Sequence, residues 1–315
     1  MNQFIQEFLH VTESAALATY PWIGTGNKIE ADQAATDSMR TQLNKIHMDG
    51  EIVIGEGEID EAPMLFIGEK VGTGHGKGID LAVDPIDGTT STSKGKNNAI
   101  AVIAIAKKGT LLHAPDMYME KIVTGPEAAG KINIDFPLEK NLRIIAEAKG
   151  KKLEELKIIT QDRERHNHWV EEARALGVRT ELFEEGDIIP AISTCIHRQG
   201  NADLFIGIGG APEGVLAAVG VKSLGGEMQA RLLPNTDEQW NRCVSMGLAR
   251  PNEALSHHEL VNTDECAFIA TSITSNMLSQ GIENNQDVFI THSIVLNGLD
   301  KCFRHIATEH PKVTV

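Results

Sequence analysis

Between residues 156 and 224 the chain switches repeatedly between two hydrophobic periods, and this alternation constrains the fold more than any other feature. Residues 156–161, 178–183 and 202–208 read as strands. Residues 166–176, 187–197 and 214–224 read as helices, with Gly177 as a stop after the first. A βαβα order predicts a mostly parallel sheet with crossover helices. Further strands are expected at 265–271 and 287–296. The first half is ordered differently. A helical pattern over 4–19 ends at Pro21, and a second helix opens near Asp32 with Ala35, Met39, Leu43 and Ile46 on one face. Strands follow at 52–54, at 79–84 with Pro85 as the stop, at 99–106 and at 118–124. Helices followed by strands is the α+β pattern. The chain is therefore expected to be α/β with an α+β first half. It is expected to divide into residues 1–148 and 149–315, at the polar stretch 148–153.

Charge narrows the partners. Lys plus Arg is 29 and Asp plus Glu is 44, a net of −15. A general nucleic-acid surface needs the opposite sign to displace counterions. If the ligand is an anion, a metal ion is the obvious mediator. The longest apolar run, from Ala99 to Ala106, is far short of the roughly 20 residues of a membrane-spanning helix. The N-terminus lacks a basic segment followed by an apolar one, so no signal peptide and a cytoplasmic location are expected. Cys195, Cys243, Cys266 and Cys302 form no C-x-x-C pair and are expected to be reduced and buried, not zinc ligands.

Three segments carry chemistry. Gly55-Glu56-Gly57-Glu58-Ile59-Asp60-Glu61 follows a strand with a density of like charge that calls for a cation. A solvated acidic loop is the plain alternative, weakened by the glycines flanking Glu56. In Val83-Asp84-Pro85-Ile86-Asp87-Gly88-Thr89 a buried strand runs into two carboxylates, expected across a tight turn. Both can reach a hard cation. A helix beginning after Gly88 would turn free N–H groups towards an anion. Gly207-Ile-Gly-Gly-Ala-Pro-Glu213 joins a strand to a helix and lets a ligand approach the backbone. It lacks the dinucleotide fingerprint, and Gly125-x4-Gly130-Lys131 lacks the Ser/Thr of a P-loop. Arg163 and Arg165 stand at a strand's carboxyl end, spaced to hold one anion. His166, His168, His257 and His258 read as surface or capping residues. Trp22, Trp169 and Trp240 read as packing residues.

VDPIDGT with the upstream GEGEIDEAP resembles the metal-dependent, lithium-sensitive phosphatase superfamily. With GIGGAPEGV and HAPDMYM, the chain resembles the class II fructose-1,6-bisphosphatase family, the bacterial GlpX type, from about residue 4 to about 300. The resemblance implies a layered αβαβα sugar-phosphatase fold, magnesium or manganese as cofactor, a dimer or tetramer, and hydrolysis of the 1-phosphate of fructose 1,6-bisphosphate in gluconeogenesis. It places metal ligands at Asp32, Glu56, Asp84, Asp87 and Glu213, a catalytic-region acid at Asp60, and at Thr89 the threonine that helps activate water. Gly88, Thr89, Tyr118, Arg163, Arg165, Asp187 and Gly210 match substrate-contacting positions, with Asp87 and Glu185 beside them. Asp87 stands where many relatives of this type carry Glu. Glu184-Glu185-Gly186-Asp187 replaces a more usual Asp-Gly-Asp. The residues themselves leave sedoheptulose 1,7-bisphosphate and inositol phosphate open as substrates. A non-catalytic acidic cation-binding module is also open, although it leaves Gly88-Thr89 and Gly209-Gly210 without a purpose.

Overall fold

The computed structural model describes residues 1–55, 64–196 and 201–312. Glu56 and Asp60 lie outside them. The helices are α1 (Ile5–Thr19), α2 (Lys28–Leu43), α3 (Thr89–Ser93), α4 (Leu138–Lys149), α5 (Asn167–Ala175), α6 (Ile188–Ser193), α7 (Ala211–Ser223), α8 (Asp237–Ser245) and α9 (His257–Leu260). The strands are β1 (Met48–Ile54), β2 (Lys70–Val71), β3 (Lys77–Asp87), β4 (Ile100–Lys107), β5 (Tyr118–Thr124), β6 (Lys157–Gln161) and β7 (Arg179–Phe183). They continue with β8 (Leu204–Gly210), β9 (Glu227–Leu232), β10 (Cys266–Ser272), β11 (Glu283–Asn284), β12 (Val288–Asn297) and β13 (Phe303–Pro311).

The chain forms two compact units, residues 1–111 with 265–315, and residues 112–264. This differs from a sequential split near residue 148 for a physical reason. β5, expected in the first domain, pairs with β8 and β9, and β10 returns to pair with β4. Strand pairing, not chain order, sets the units. Residues 148–153 merely follow α4 inside the second.

The first unit is built on a mixed sheet ordered β11-β12-β10-β4-β3-β1-β2, with β13 on β12. One face packs under α1 and α2. Ile79, Leu81 and Val83 of β3, Ile103 and Ile105 of β4 and Ile269 of β10 meet Phe8, Val11, Ala31, Ala35, Met39 and Leu43. Ala31, Ala35, Met39 and Leu43 recur every fourth residue, which places them on one stripe of α2. Phe8 is fully buried, worth about 1.5–3 kcal/mol by itself. α2 begins a turn earlier than expected, so Asp32 is its fifth residue, not its first.

The second unit holds a sheet ordered β7-β6-β8-β5-β9. It is not mostly parallel: β6 runs parallel to β7 and β8, whereas β5 runs antiparallel to β8 and β9. Alternation along each strand divides the apolar residues between two faces. Ile122, Ile158, Leu204 and Ile206 meet Leu142 and Ile145 of α4 and Trp169 and Ala173 of α5. α6 and α7 contact these strands as well, and α7 also contacts β9. Both units thus stack helices on a sheet, the layered α/β class. Cys195, Cys243 and Cys266 are buried and in no disulfide, while Cys302 is exposed, against expectation. No described helix is long and apolar enough to cross a membrane.

Candidate active site

In the first unit the acids are aimed by a flaw in a strand. Pro85 does not end β3, which runs on to Asp87. Asp84 opposes Val102 and Asp87 opposes Ile100, so β3 carries one extra residue between them. Pro85 is tolerated there because a bulge has no ladder bond for its missing N–H. In a regular strand, positions three apart face opposite ways. The extra residue returns Asp87 to the side of Asp84, while Val83 and Ile86 both stay in the core. Both carboxylates are buried, at 4% and 6% exposure. Oxygens of the two lie within 4.8 Å of each other. Asp84 Oδ1 also accepts the Ile86 N–H at 2.9 Å.

Gly88 then turns the chain into α3, as expected. Its φ is +94°, and a Cβ there would lie 2.7 Å from the Asn98 carbonyl oxygen. Both conformation and space require glycine. The next residue, Thr89, places Oγ1 3.0 Å from Asp32 Oδ1 and 3.2 Å from the Ile86 carbonyl. Its one proton therefore points at an acceptor of the protein, and its lone pairs remain to receive another donor. Burial pushes the Asp32 carboxyl up, opposed by the Thr89 hydroxyl and the Lys28 ammonium. Lys28 Nζ donates to Thr90 Oγ1.

In the second unit the site is assembled from distant segments. Tyr118 opposes Gly210 in the β5–β8 ladder and is exposed. The Arg165 guanidinium lies over its ring at 5.2 Å. Arg165 donates from Nε to the Ile208 carbonyl at 3.0 Å, and from Nη2 to that carbonyl at 2.8 Å and to Gln161 Oε1 at 3.0 Å. Arg163 is exposed and bonds only locally, from Nη1 to the Asp162 carbonyl. Gly186, at φ +74°, turns the chain between Glu185 and Asp187.

Asp187 precedes α6 but makes no side-chain cap to it. Its Oδ2 instead accepts from Lys121 Nζ at 2.6 Å, and Lys121 also donates to the Gly210 carbonyl at 2.8 Å. Lys121 is 1% exposed. The sequence reading missed it. Its signal is position: Met119, Lys121 and Val123 share one strand face, so a lysine there has to be buried among apolar neighbours. Two glycines let the acids come in. A Cβ on Gly209 would strike Asp187 Oδ2, and one on Gly210 would strike Glu213 Oε2.

α7 starts three residues earlier than expected, which puts Glu213 in its first turn. Burial raises the Glu213 carboxyl, the Asp187 charge raises it further, and Lys121 pulls it back. Glu213 Oε2 and Asp187 Oδ1 are buried with no hydrogen-bond partner among the described residues. Orphaned carboxylate oxygens, in a donor set made wholly of carboxylates, suit a hard divalent cation.

The histidines divide. His166, expected at the surface, is 1% exposed. His257 is half-buried and bonds to the Ala218 carbonyl and the Met228 N–H. Of the tryptophans, Trp169 packs in the core and Trp240 is 38% exposed.

The comparisons with known proteins agree with one another. The family model described as "Bacterial fructose-1,6-bisphosphatase, glpX-encoded" matches residues 2–310. The class 2 fructose-1,6-bisphosphatase of Haemophilus influenzae is 45% identical over 96% of this chain and 95% of that protein. Two Escherichia coli K12 proteins, fructose-1,6-bisphosphatase 1 class 2 and fructose-1,6-bisphosphatase 2 class 2, are 44% and 42% identical over 96% and 95% of this chain, and 94% and 97% of their own lengths. The chain belongs to the GlpX-type, class II fructose-1,6-bisphosphatase family.

Proposed function

We propose that this chain is a metal-dependent phosphatase that hydrolyses fructose 1,6-bisphosphate at its 1-phosphate, giving fructose 6-phosphate and inorganic phosphate in gluconeogenesis. The observation that carries the reading is the family match over nearly the whole chain, whose motif residues include the Asp32–Thr89 pair at 3.0 Å. Asp32, Glu56, Asp84, Asp87 and Glu213 would hold magnesium or manganese, since all offer carboxylate oxygen. Bound there, the cation supplies Lewis acidity, lowering the pKa of a water and neutralising charge on the leaving oxygen.

The residues supply orientation and proton handling. With its own proton committed to the protein, Thr89 Oγ1 accepts a hydrogen bond from the attacking water and aims it in line with the ester bond. Asp32, by accepting the Thr89 hydroxyl at 3.0 Å, fixes the direction of that proton and so the orientation of Oγ1. The water oxygen bonds to phosphorus as the P–O1 bond breaks; of the two water protons, one stays with the released phosphate and one ends on O1. Asp60 belongs to the same region by family resemblance. Arg163 and Arg165 hold the distal 6-phosphate, while Gly88, Tyr118, Glu185, Asp187 and Gly210 line the sugar and phosphate contacts. The cytoplasm is the proposed location and a homodimer or homotetramer the proposed assembly, which light scattering would test.

Phosphate release tests the function. Fructose 1,6-bisphosphate should be cleaved with magnesium or manganese and left intact with EDTA. Faster cleavage of sedoheptulose 1,7-bisphosphate or inositol monophosphate would overturn the substrate assignment.

A further inference from the structure

β8 outruns its neighbour. β6 pairs with it at Ile158↔Leu204 and Ile159↔Phe205 and ends at Gln161, whereas β8 continues to Gly210. On its other side Ile208 faces Glu120 of β5. The Ile208 amide and carbonyl point together to the side that β6 has vacated, where no strand among the described residues completes the ladder. Two consecutive side chains of one loop complete it. Ile208 N–H donates to His166 Nε2 at 2.9 Å. The Ile208 carbonyl accepts from Arg165 Nε and Nη2.

The other His166 nitrogen fixes its state. Nδ1 lies 2.7 Å from the Gln161 carbonyl, which can only accept. Nδ1 therefore carries the proton, and Nε2 is the bare nitrogen that the Ile208 amide needs. The ring stacks against Trp169, with centroids 5.6 Å apart at 28°. Burial and the nearby Arg165 charge both hold it neutral, below the usual imidazole range.

We infer that His166 is a positioning residue for Arg165. By holding the Ile208 amide it fixes the carbonyl on which the guanidinium rests, and so aims Arg165 at the distal phosphate of a sugar bisphosphate. Arg165 spends its Nε and Nη2 protons on the protein. Its two Nη1 protons have no partner among the described residues and are the ones left for an anion. The inference rests on the assignment of Arg165 to the distal phosphate given above.

Steady-state kinetics on metal-replete enzyme separate the two claims. An Asn amide at position 166 keeps the bond to Gln161 and loses the one to Ile208. A Gln amide reaches Ile208 with its oxygen. His166→Asn should raise KM for fructose 1,6-bisphosphate, and the inhibition constant of fructose 6-phosphate, about tenfold, with kcat retained. His166→Gln should stay within about twofold of wild type in all three. The double variant Arg165→Ala/His166→Asn should be no worse than Arg165→Ala alone, the mark of residues acting through one contact.

A folded Gln variant with the KM of Arg165→Ala would overturn the inference. So would an Asn variant that loses kcat while keeping KM, since that is a merely structural role. Additive losses in the double variant would overturn it too. Arg165→Ala with an unchanged KM would instead overturn the distal-phosphate assignment.

Discussion

The two units position their candidate residues by opposite means. The first uses one continuous segment: Asp84, Asp87, Gly88 and Thr89 come from six consecutive residues of a bulged strand and its exit, with Asp32 the distant member among the described residues. It presents carboxylates and a hydroxyl. The second gathers Lys121, Arg165, His166, Asp187 and Glu213 from four separate elements or loops, and it presents fixed cations alongside two acids. The lesson is that reactive geometry can be written locally by a backbone irregularity, whereas charge balance has to be assembled across a fold. A bulge re-aims neighbours only. A buried lysine needs its counter-charge from wherever the sheet order delivers it.

Breaking the local half should have the largest effect. Thr89→Ala is expected to lower kcat by about 10²–10⁴-fold with little change in KM, because it removes the group that orients the water. Thr89→Ser should recover much of the loss. Full activity in the alanine variant would remove Thr89 from the mechanism. The assembled half should fail differently, through stability. Lys121→Met leaves Asp187 and Glu213 without their internal cation and should cost about 3–5 kcal/mol in denaturant unfolding. A loss near that of a surface lysine would show that the pair contributes little.

Next comes metal removal. Because the acids of both units outnumber their cations, the EDTA-treated protein should bind fructose 1,6-bisphosphate weakly by calorimetry and regain affinity with magnesium. Tight binding without metal would break the link between the −15 charge and function. The smallest effect is a pH response. His166 has an ordinary value of 6.5 in the unfolded chain and a lower one when folded, through burial, with Arg165 and His168 adding to it. Between those values the unfolded chain binds more protons, so stability is fully present above about 6.5 and declines as pH falls through the folded value. His166→Gln should flatten that part of a melting-temperature profile, and an unchanged slope would exclude His166 as its source.

The same contrast explains what could be read before the structure. α1 and β10 were legible because their apolar periods are uninterrupted. The DPIDGT segment was legible because its chemistry is contiguous, although the bulge was not: Pro85 reads as a stop when only local rules are applied. Lys121 and His166 were missed because their importance comes from partners 66 and 42 positions away. The two-unit division was missed for a similar reason, since β10 looks like a late addition to the second half until its pairing with β4 is seen. α4 and β13 were not read at all, one for its charged exposed face and the other for its mixed pattern.

That division also sets an order of events during synthesis. The second unit is one uninterrupted stretch, so all of it has left the ribosome before the first unit has received β10, β12 and β13. Until then β4, with eight residues of which seven are buried in the finished protein, waits with one edge unpaired. A chain truncated at residue 264 and released should show the middle of the sequence protected from protease and the N-terminal third still cleavable. The segment made first is the one completed last.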